Sequence, residues 1–152
     1  MCIAICDDEV SIRAWLSSLI RAQSCPCEIA EYASANECLA DHREFDLFFL
    51  DIELAPSGPN GMALARKIRE RSSGTQPVIV FVTGYERYVF DAFDVGAFHY
   101  LLKPVDEDKF AQVFARAVEQ IMAEKGRWWR LRLNVSQCKP DTVFQPQNAQ
   151  IL

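Results

Sequence analysis

The sequence predicts an α/β fold: a doubly wound, five-stranded parallel sheet in the order 2-1-3-4-5, with helices on both faces. Three observations carry this expectation. Short apolar runs alternate with stretches whose apolar residues recur at helical spacing, from Cys2 to Ile121. The strand-like runs are mostly continuous rather than alternating, as strands buried on both faces require. The alternation repeats until five runs and five helical stretches are complete, and 2-1-3-4-5 is the common order of such a sheet.

Cys2–Cys6 is the first apolar run. Val10, Ile12, Trp15, Leu16, Leu19 and Ile20 then mark one face of a helix. Glu28–Tyr32 alternates, as an edge strand does, and Ser34-Ala-Asn-Glu37 is a capping box that opens a short helix. Asp46–Asp51 is a continuous apolar run ending in an acid. A Pro/Gly-rich loop, Leu54–Gly61, leads to a helix through Met62, Leu64, Ala65 and Ile68. Pro77–Thr83 is rich in β-branched residues and bounded by Pro and Gly, the strongest strand signal in the chain. Tyr85–Val95 is a weaker helix and Phe98–Leu102 a fifth strand. Phe110, Val113, Phe114, Ala117, Val118 and Ile121 mark the last helix, with Asp106 as its cap.

Composition narrows the class. At 152 residues, 50% hydrophobic and 24% charged, the chain has enough apolar surface for one buried core. No stretch approaches the roughly 18–20 apolar residues of a membrane span. Met1-Cys-Ile-Ala-Ile-Cys-Asp-Asp8 lacks the basic region of a secretory signal, so a cytoplasmic protein is expected. The cysteines (Cys2, Cys6, Cys25, Cys27, Cys38, Cys138) show no Cys-x-x-Cys spacing and no histidine cluster, which argues for reduced thiols over zinc. The net charge is −5; residues 126–152 carry +3 of it, so the first 125 residues carry −8. An acidic body argues against that body gripping nucleic acid.

Parallel α/β sheets bind ligands outside the carboxyl ends of their strands. Strand 1 ends in Asp7-Asp8, strand 3 in Asp51, strand 4 in Thr83, and strand 5 runs into Lys103-Pro104. Each residue alone has a plain structural role: a helix cap, a buried hydroxyl, a turn. Four such ends on one rim are a poor coincidence. Three clustered carboxylates raise one another's pKa unless a cation sits among them. A hard divalent ion fits, and magnesium fits best, because it takes one or two carboxylates and a phosphate oxygen. Metal, ammonium and hydroxyl together suit a phosphoryl group in transfer, and a carboxylate beside them can attack phosphorus.

These residues carry a resemblance. The acid pair, Phe49-Leu50-Asp51-Ile52-Glu53, Val82-Thr83-Gly84 and Tyr100-Leu101-Leu102-Lys103-Pro104 resemble the receiver domains of two-component response regulators, over residues 1 to about 123. Ile3-Ala-Ile-Cys-Asp-Asp-Glu9 and His99-Tyr-Leu-Leu-Lys-Pro104 are similar to the receivers that precede LytTR-type DNA-binding domains. The resemblance implies that Asp51 is the phosphoacceptor for a sensor histidine kinase. It implies that Asp7, Asp8, Asp51 and the backbone carbonyl of Glu53 hold Mg2+, and that Lys103 pairs with the phosphoryl oxygens. Thr83 and Tyr100 would be switch residues, and the Lys103–Pro104 bond cis. Phosphorylation would repack the helix 4, strand 5 and helix 5 surface and favour a homodimer. Such a domain is a signalling switch, catalysing only its own phosphorylation and dephosphorylation.

One departure concerns the loop before helix 3. Gly61 lies ten residues after Asp51, about two more than the family pattern, across a segment with two prolines. Residues 124–152 form a tail: a truncated start of an output domain or a stub. Lys125–Leu133 reads as the beginning of a strand, and the 27 residues after Lys125 are too few for the effector domain that the resemblance calls for. No DNA binding is predicted for this chain. The rivals fare worse. A haloacid-dehalogenase-type phosphatase needs Asp where Glu53 stands. A pseudo-receiver would not need the full set of polar residues. A flavodoxin would need a phosphate loop after strand 1, in place of an anionic rim.

Overall fold

The computed structural model describes residues 1–54 and 58–135. The loop residues 55–57, Cys138 and the polar segment Asp141–Leu152 lie outside the described residues. Five strands, β1 (Cys2–Cys6), β2 (Glu28–Tyr32), β3 (Leu47–Leu50), β4 (Val78–Thr83) and β5 (His99–Leu102), form one sheet in the order β2-β1-β3-β4-β5. All four pairings are parallel. Helices α1 (Val10–Arg21), α2 (Ala35–Ala40), α3 (Gly61–Arg71), α4 (Val89–Asp94) and α5 (Glu107–Val135) connect and follow the strands. One compact unit spans Met1–Ile121, and a second begins at Met122.

The period-2 geometry of the strands sorts the core into two layers. Ile3, Ile5, Leu47, Phe49, Val80 and Val82 face one side, where α1 supplies Leu16 and Ile20 and α5 supplies Phe110, Phe114 and Ala117. Ala4, Cys6, Phe48, Leu50, Ile79 and Phe81 face the other, against Cys38 of α2, Met62, Leu64 and Ile68 of α3, and Ala92 of α4. β3 and β4 are buried along their whole lengths, which is why their runs are continuous. Phe110 stacks on Phe49 with centroids 5.4 Å apart and on Phe114 at 6.0 Å. Each such side chain contributes about 1.5–3 kcal/mol through burial.

The helix starts follow local chemistry. Ser34 accepts from the Glu37 amide at 3.2 Å, while Glu37 reaches back to the Ala33 amide at 2.9 Å, one residue earlier than an ideal capping box. Asn60 caps α3 by accepting from Ala63, and Asp106 caps α5 by accepting from Lys109, both at 2.9 Å. α1 begins at Val10 after Glu9, with no side-chain cap bond from Glu9.

Two elements differ from the sequence expectation. Tyr85–Val95 is not one helix: a 3-10 turn, Glu86–Tyr88, precedes α4. No side chain caps this segment, and Gly96, at φ +69°, ends it in the left-handed region. Lys125–Leu133 does not begin a strand: α5 runs through Val135. A strand needs a partner for its backbone groups, whereas a helix satisfies its own. The lone Gly126 inside α5 weakens it by only about 1 kcal/mol.

Cys2, Cys6, Cys25, Cys27 and Cys38 are free thiols. Among the described residues, no helix is long and apolar enough to cross a membrane.

Candidate functional site

The register of the sheet assembles the rim. Cys6 pairs with Leu50, and Leu50 with Phe81. The residues just beyond β1 and β3, Asp7 and Asp51, therefore emerge side by side, and the Asp51 amide donates to the Cys6 carbonyl at 2.9 Å. Thr83 pairs with Leu102 at the end of β4, and the Lys103 amide donates to the Thr83 carbonyl at 2.8 Å. The Lys103–Pro104 bond is cis.

Lys103 joins the acids. Its Nζ stands 2.8 Å from Asp7 Oδ2 and 3.0 Å from Asp51 Oδ2. Asp7 is 1% exposed and Asp51 6%, so both carboxylates lie almost out of water. Burial drives the Asp51 carboxyl above its ordinary pKa, and Lys103 opposes that rise without cancelling it. Burial pulls the Lys103 ammonium down, but its bonds to Asp7 and Asp51 outweigh it and leave the pKa above the usual lysine value.

Asp8 is exposed, yet its carboxylate completes a set: Asp7, Asp8 and Asp51 each offer an oxygen within 4.8 Å of the others. One lysine does not neutralise three acids. An all-oxygen set at this density fits a small hard divalent cation and no soft metal. Thr83 adds a second sign of an incomplete site. It is fully buried, and its Oγ1 has no hydrogen-bond partner among the described residues. Such a hydroxyl normally finds one.

Asp7, Asp8, Asp51 and Lys103 are thus brought together, while the Glu53 side chain and Tyr100 make contacts of their own that bear on neither the backbone-carbonyl role nor the switch role expected of them. The Glu53 side chain is engaged elsewhere: its Oε1 accepts from Arg87 Nη2 at 2.5 Å and from the Tyr88 hydroxyl at 3.0 Å. Tyr100, packed beside Phe81 at 6.2 Å, donates its hydroxyl to the Tyr85 carbonyl.

Arg13, Arg87 and Tyr88 were not foreseen as supporting residues, and Gly61 was foreseen only as the start of the third helix. Arg13 donates to the Asp7 carbonyl at 2.7 Å and pairs with Glu31 at 3.6 Å, which steadies the turn bearing the acid pair. Its signal was faint: a base on α1 shortly after two acids. Gly61 packs so closely on the chain after β3 that a Cβ there would stand 1.9 Å from the Asp51 carbonyl oxygen. Its amide donates to the Ile52 carbonyl at 2.8 Å. α3 therefore begins against the back of Asp51. Arg87 and Tyr88 had no signal at all, since they reach Glu53 across 34 and 35 positions of chain.

Residues 3–115 match the response regulator receiver domain family. The sensory transduction protein LytT of Bacillus subtilis (strain 168) is 36% identical over 117 residues, covering 75% of this chain and 46% of that protein. LytT of Enterococcus faecalis is 35% identical over 135 residues, covering 83% of this chain and 54% of that protein. The chain thus spans about half the length of the curated relatives it matches. The response regulatory domain of mrkE from Klebsiella pneumoniae superposes with a TM-score of 0.73 at 29% identity, over 81% of this chain and 99% of that one. TrrA from Thermotoga maritima, crystallised in complex with Mg2+-BeF, superposes with a TM-score of 0.66 at 26% identity, over 76% and 97%. Most of the chain's length is accounted for by this likeness, and its sheet order agrees with it: the chain belongs to the response regulator receiver family of two-component systems.

Proposed function

We propose that this receiver accepts a phosphoryl group on Asp51 from a sensor histidine kinase, in a reaction that depends on Mg2+. The observation that carries the reading is the meeting of Asp7, Asp51 and Lys103 Nζ within 3.0 Å contacts, beside a buried Thr83 hydroxyl that lacks a partner. Asp7, Asp8, the Asp51 carboxylate and the Glu53 backbone carbonyl would hold the ion. When bound, it supplies positive charge to the transferring phosphoryl oxygens and relieves the repulsion among the acids. TrrA, 26% identical to this chain, holds Mg2+-BeF, which supports this assignment.

An Asp51 oxygen attacks phosphorus, the donor's leaving group departs, and an aspartyl phosphate results. Lys103 pairs with the phosphoryl oxygens as an ammonium, and Thr83 turns its hydroxyl toward them as a donor. The adduct adds roughly 1.5–2 negative charges. That charge shifts the population toward a state in which Thr83 and Tyr100 have moved inward and the α4-β5-α5 surface has repacked. Phe90 and Phe93 on α4 are 81% and 72% exposed, apolar area that a phosphorylation-enhanced homodimer would bury. The domain is a cytoplasmic switch whose catalysis is confined to its own phosphorylation and dephosphorylation. In a longer protein it would govern a DNA-binding output domain of the LytTR type, and so transcription; this chain is not itself proposed to bind DNA.

The test is intact-mass spectrometry after incubation with Mg2+ and acetyl phosphate. One acid-stable, base-labile phosphoryl adduct is expected, absent in Asp51→Asn. Donor turnover without an Asp51 adduct would indicate a phosphatase, and a folded but unlabelled protein a pseudo-receiver.

A further inference from the structure

Arg87 stands where a structural explanation does not account for it. Its Nη2 lies 2.5 Å from Glu53 Oε1 and 3.1 Å from the Tyr88 hydroxyl. Its guanidinium lies over the rings of Tyr85 (4.6 Å) and Tyr88 (4.9 Å). The Arg87 and Glu53 side chains are 62% and 38% exposed, and a pair that open to water adds little to the stability of a fold. The arrangement nonetheless ties the 3-10 turn after β4 to the segment just beyond Asp51. Asp51 and Arg87 both act on the Tyr100 hydroxyl: burial raises its pKa first, the Asp51 charge adds to the rise, and Arg87 opposes it. Arg87 therefore lies within the field of the site.

Charge explains the placement. The rim already holds Asp7, Asp8 and Asp51 against one lysine. Glu53 is a fourth carboxylate, two residues past Asp51 in the chain and bonded to Arg87 and Tyr88. We propose that Arg87 is a positioning residue for phosphoryl transfer: it holds the Glu53 carboxylate and cancels its charge where the donor approaches Asp51. This rests on the phosphoacceptor reading of Asp51. In the step concerned, phosphorus passes from the donor's oxygen to an Asp51 oxygen, with acetate leaving when acetyl phosphate is the donor. Arg87 and Glu53 neither gain nor lose a proton. The two tyrosine faces hold the planar guanidinium in place, which a lysine would not allow to the same degree.

The experiment measures labelling rates of the full chain by intact mass, across acetyl phosphate concentrations with Mg2+. Wild type, Arg87→Ala, Arg87→Lys, Glu53→Gln and the Arg87→Ala/Glu53→Gln double variant are compared at about 0.02 M and about 0.5 M ionic strength. Arg87→Ala is expected to raise the half-saturating donor concentration at least about threefold at low ionic strength, with Arg87→Lys between it and wild type. Salt should shrink the difference, and Glu53→Gln should rescue most of it in the double variant, since no carboxylate then needs cancelling. A purely structural clamp predicts the reverse, because either substitution breaks it. Melting temperatures of the variants should agree within about 2 °C. Should Arg87→Ala fold poorly, Glu53→Gln alone carries the test by weakening the salt dependence of labelling. An Arg87→Ala rate equal to wild type, or a loss that ignores both salt and Glu53→Gln, overturns the assignment. An unlabelled wild type overturns the phosphoacceptor reading itself, and this assignment with it.

Discussion

Lys103 Nζ and Asp51 Oδ2 lie 3.0 Å apart in a pocket where the lysine side chain is 18% exposed and the aspartate 7%. The same ammonium holds Asp7 at 2.8 Å. Bonded to both side chains, Lys103 is the counter-charge that keeps two buried carboxylates together. Lys103→Ala should therefore destabilise the protein by about 2–3 kcal/mol in Mg2+-free buffer, the result of leaving buried charge unpaired. Added Mg2+ should restore part of that loss. Urea denaturation with and without the ion measures both, and an unchanged midpoint for Lys103→Ala would refute the account.

Thr83 predicts the opposite sign. Its hydroxyl is buried without a partner at full hydrogen-bond geometry among the described residues, although it lies close enough to Asp51 to favour that carboxylate. Thr83→Val therefore removes a poorly satisfied polar group and should stabilise the unphosphorylated protein by at most about 1 kcal/mol. The same substitution should shorten the lifetime of the Asp51 adduct or slow its formation. A thermal melt paired with a labelling time course checks both.

Gly61 separates steric need from conformational freedom. Its backbone is not in the left-handed region, yet a Cβ would meet the Asp51 carbonyl at 1.9 Å. Gly61→Ala must push α3 away from Asp51, at a cost of at least about 2 kcal/mol. Gly84, which has nothing within 4 Å of its Cβ position, should accept alanine within about 1 kcal/mol of wild type. Equal urea midpoints for the two variants would sink the distinction.

His99 sets a pH dependence. Burial lowers its pKa, and Lys109 and Arg116 push it the same way. The folded state thus favours neutral His99, while the unfolded chain protonates near pH 6.5. Proton uptake by the unfolded state alone means that stability is present above about pH 6.5 and declines as pH falls toward the folded value. Wild type should lose stability more steeply than His99→Gln between pH 7.5 and 5.5, and parallel pH profiles would contradict this.

Much of the site was legible because it needs little three-dimensional information. Continuous apolar runs such as Leu47–Leu50 and Val78–Thr83 announce strands buried on both faces, and parallel strands place their carboxyl ends on one rim. Asp7, Asp51, Thr83 and Lys103 sit at or just beyond those ends, so periodicity plus one rule of topology brings them together. The split of Tyr85–Val95 was not legible, because its aromatic and charged residues suit a 3-10 turn and a helix about equally. The strand expected at Lys125–Leu133 failed for a related reason: a short alternation of bases and large apolar residues does not say whether a pairing strand exists.

What the chain determined by itself was the order of its elements, the two apolar faces of the sheet and the identity of the residues on its rim, since these follow from repeat spacing and backbone geometry. Tertiary structure decided the rest: that Lys103 pairs with Asp7 as well as Asp51, that α3 presses Gly61 against the Asp51 carbonyl, and that Arg87 takes hold of Glu53. The Lys103 and Arg87 contacts join loops far apart in sequence. Side-chain reach and local charge select them only after the core has fixed where each loop stands.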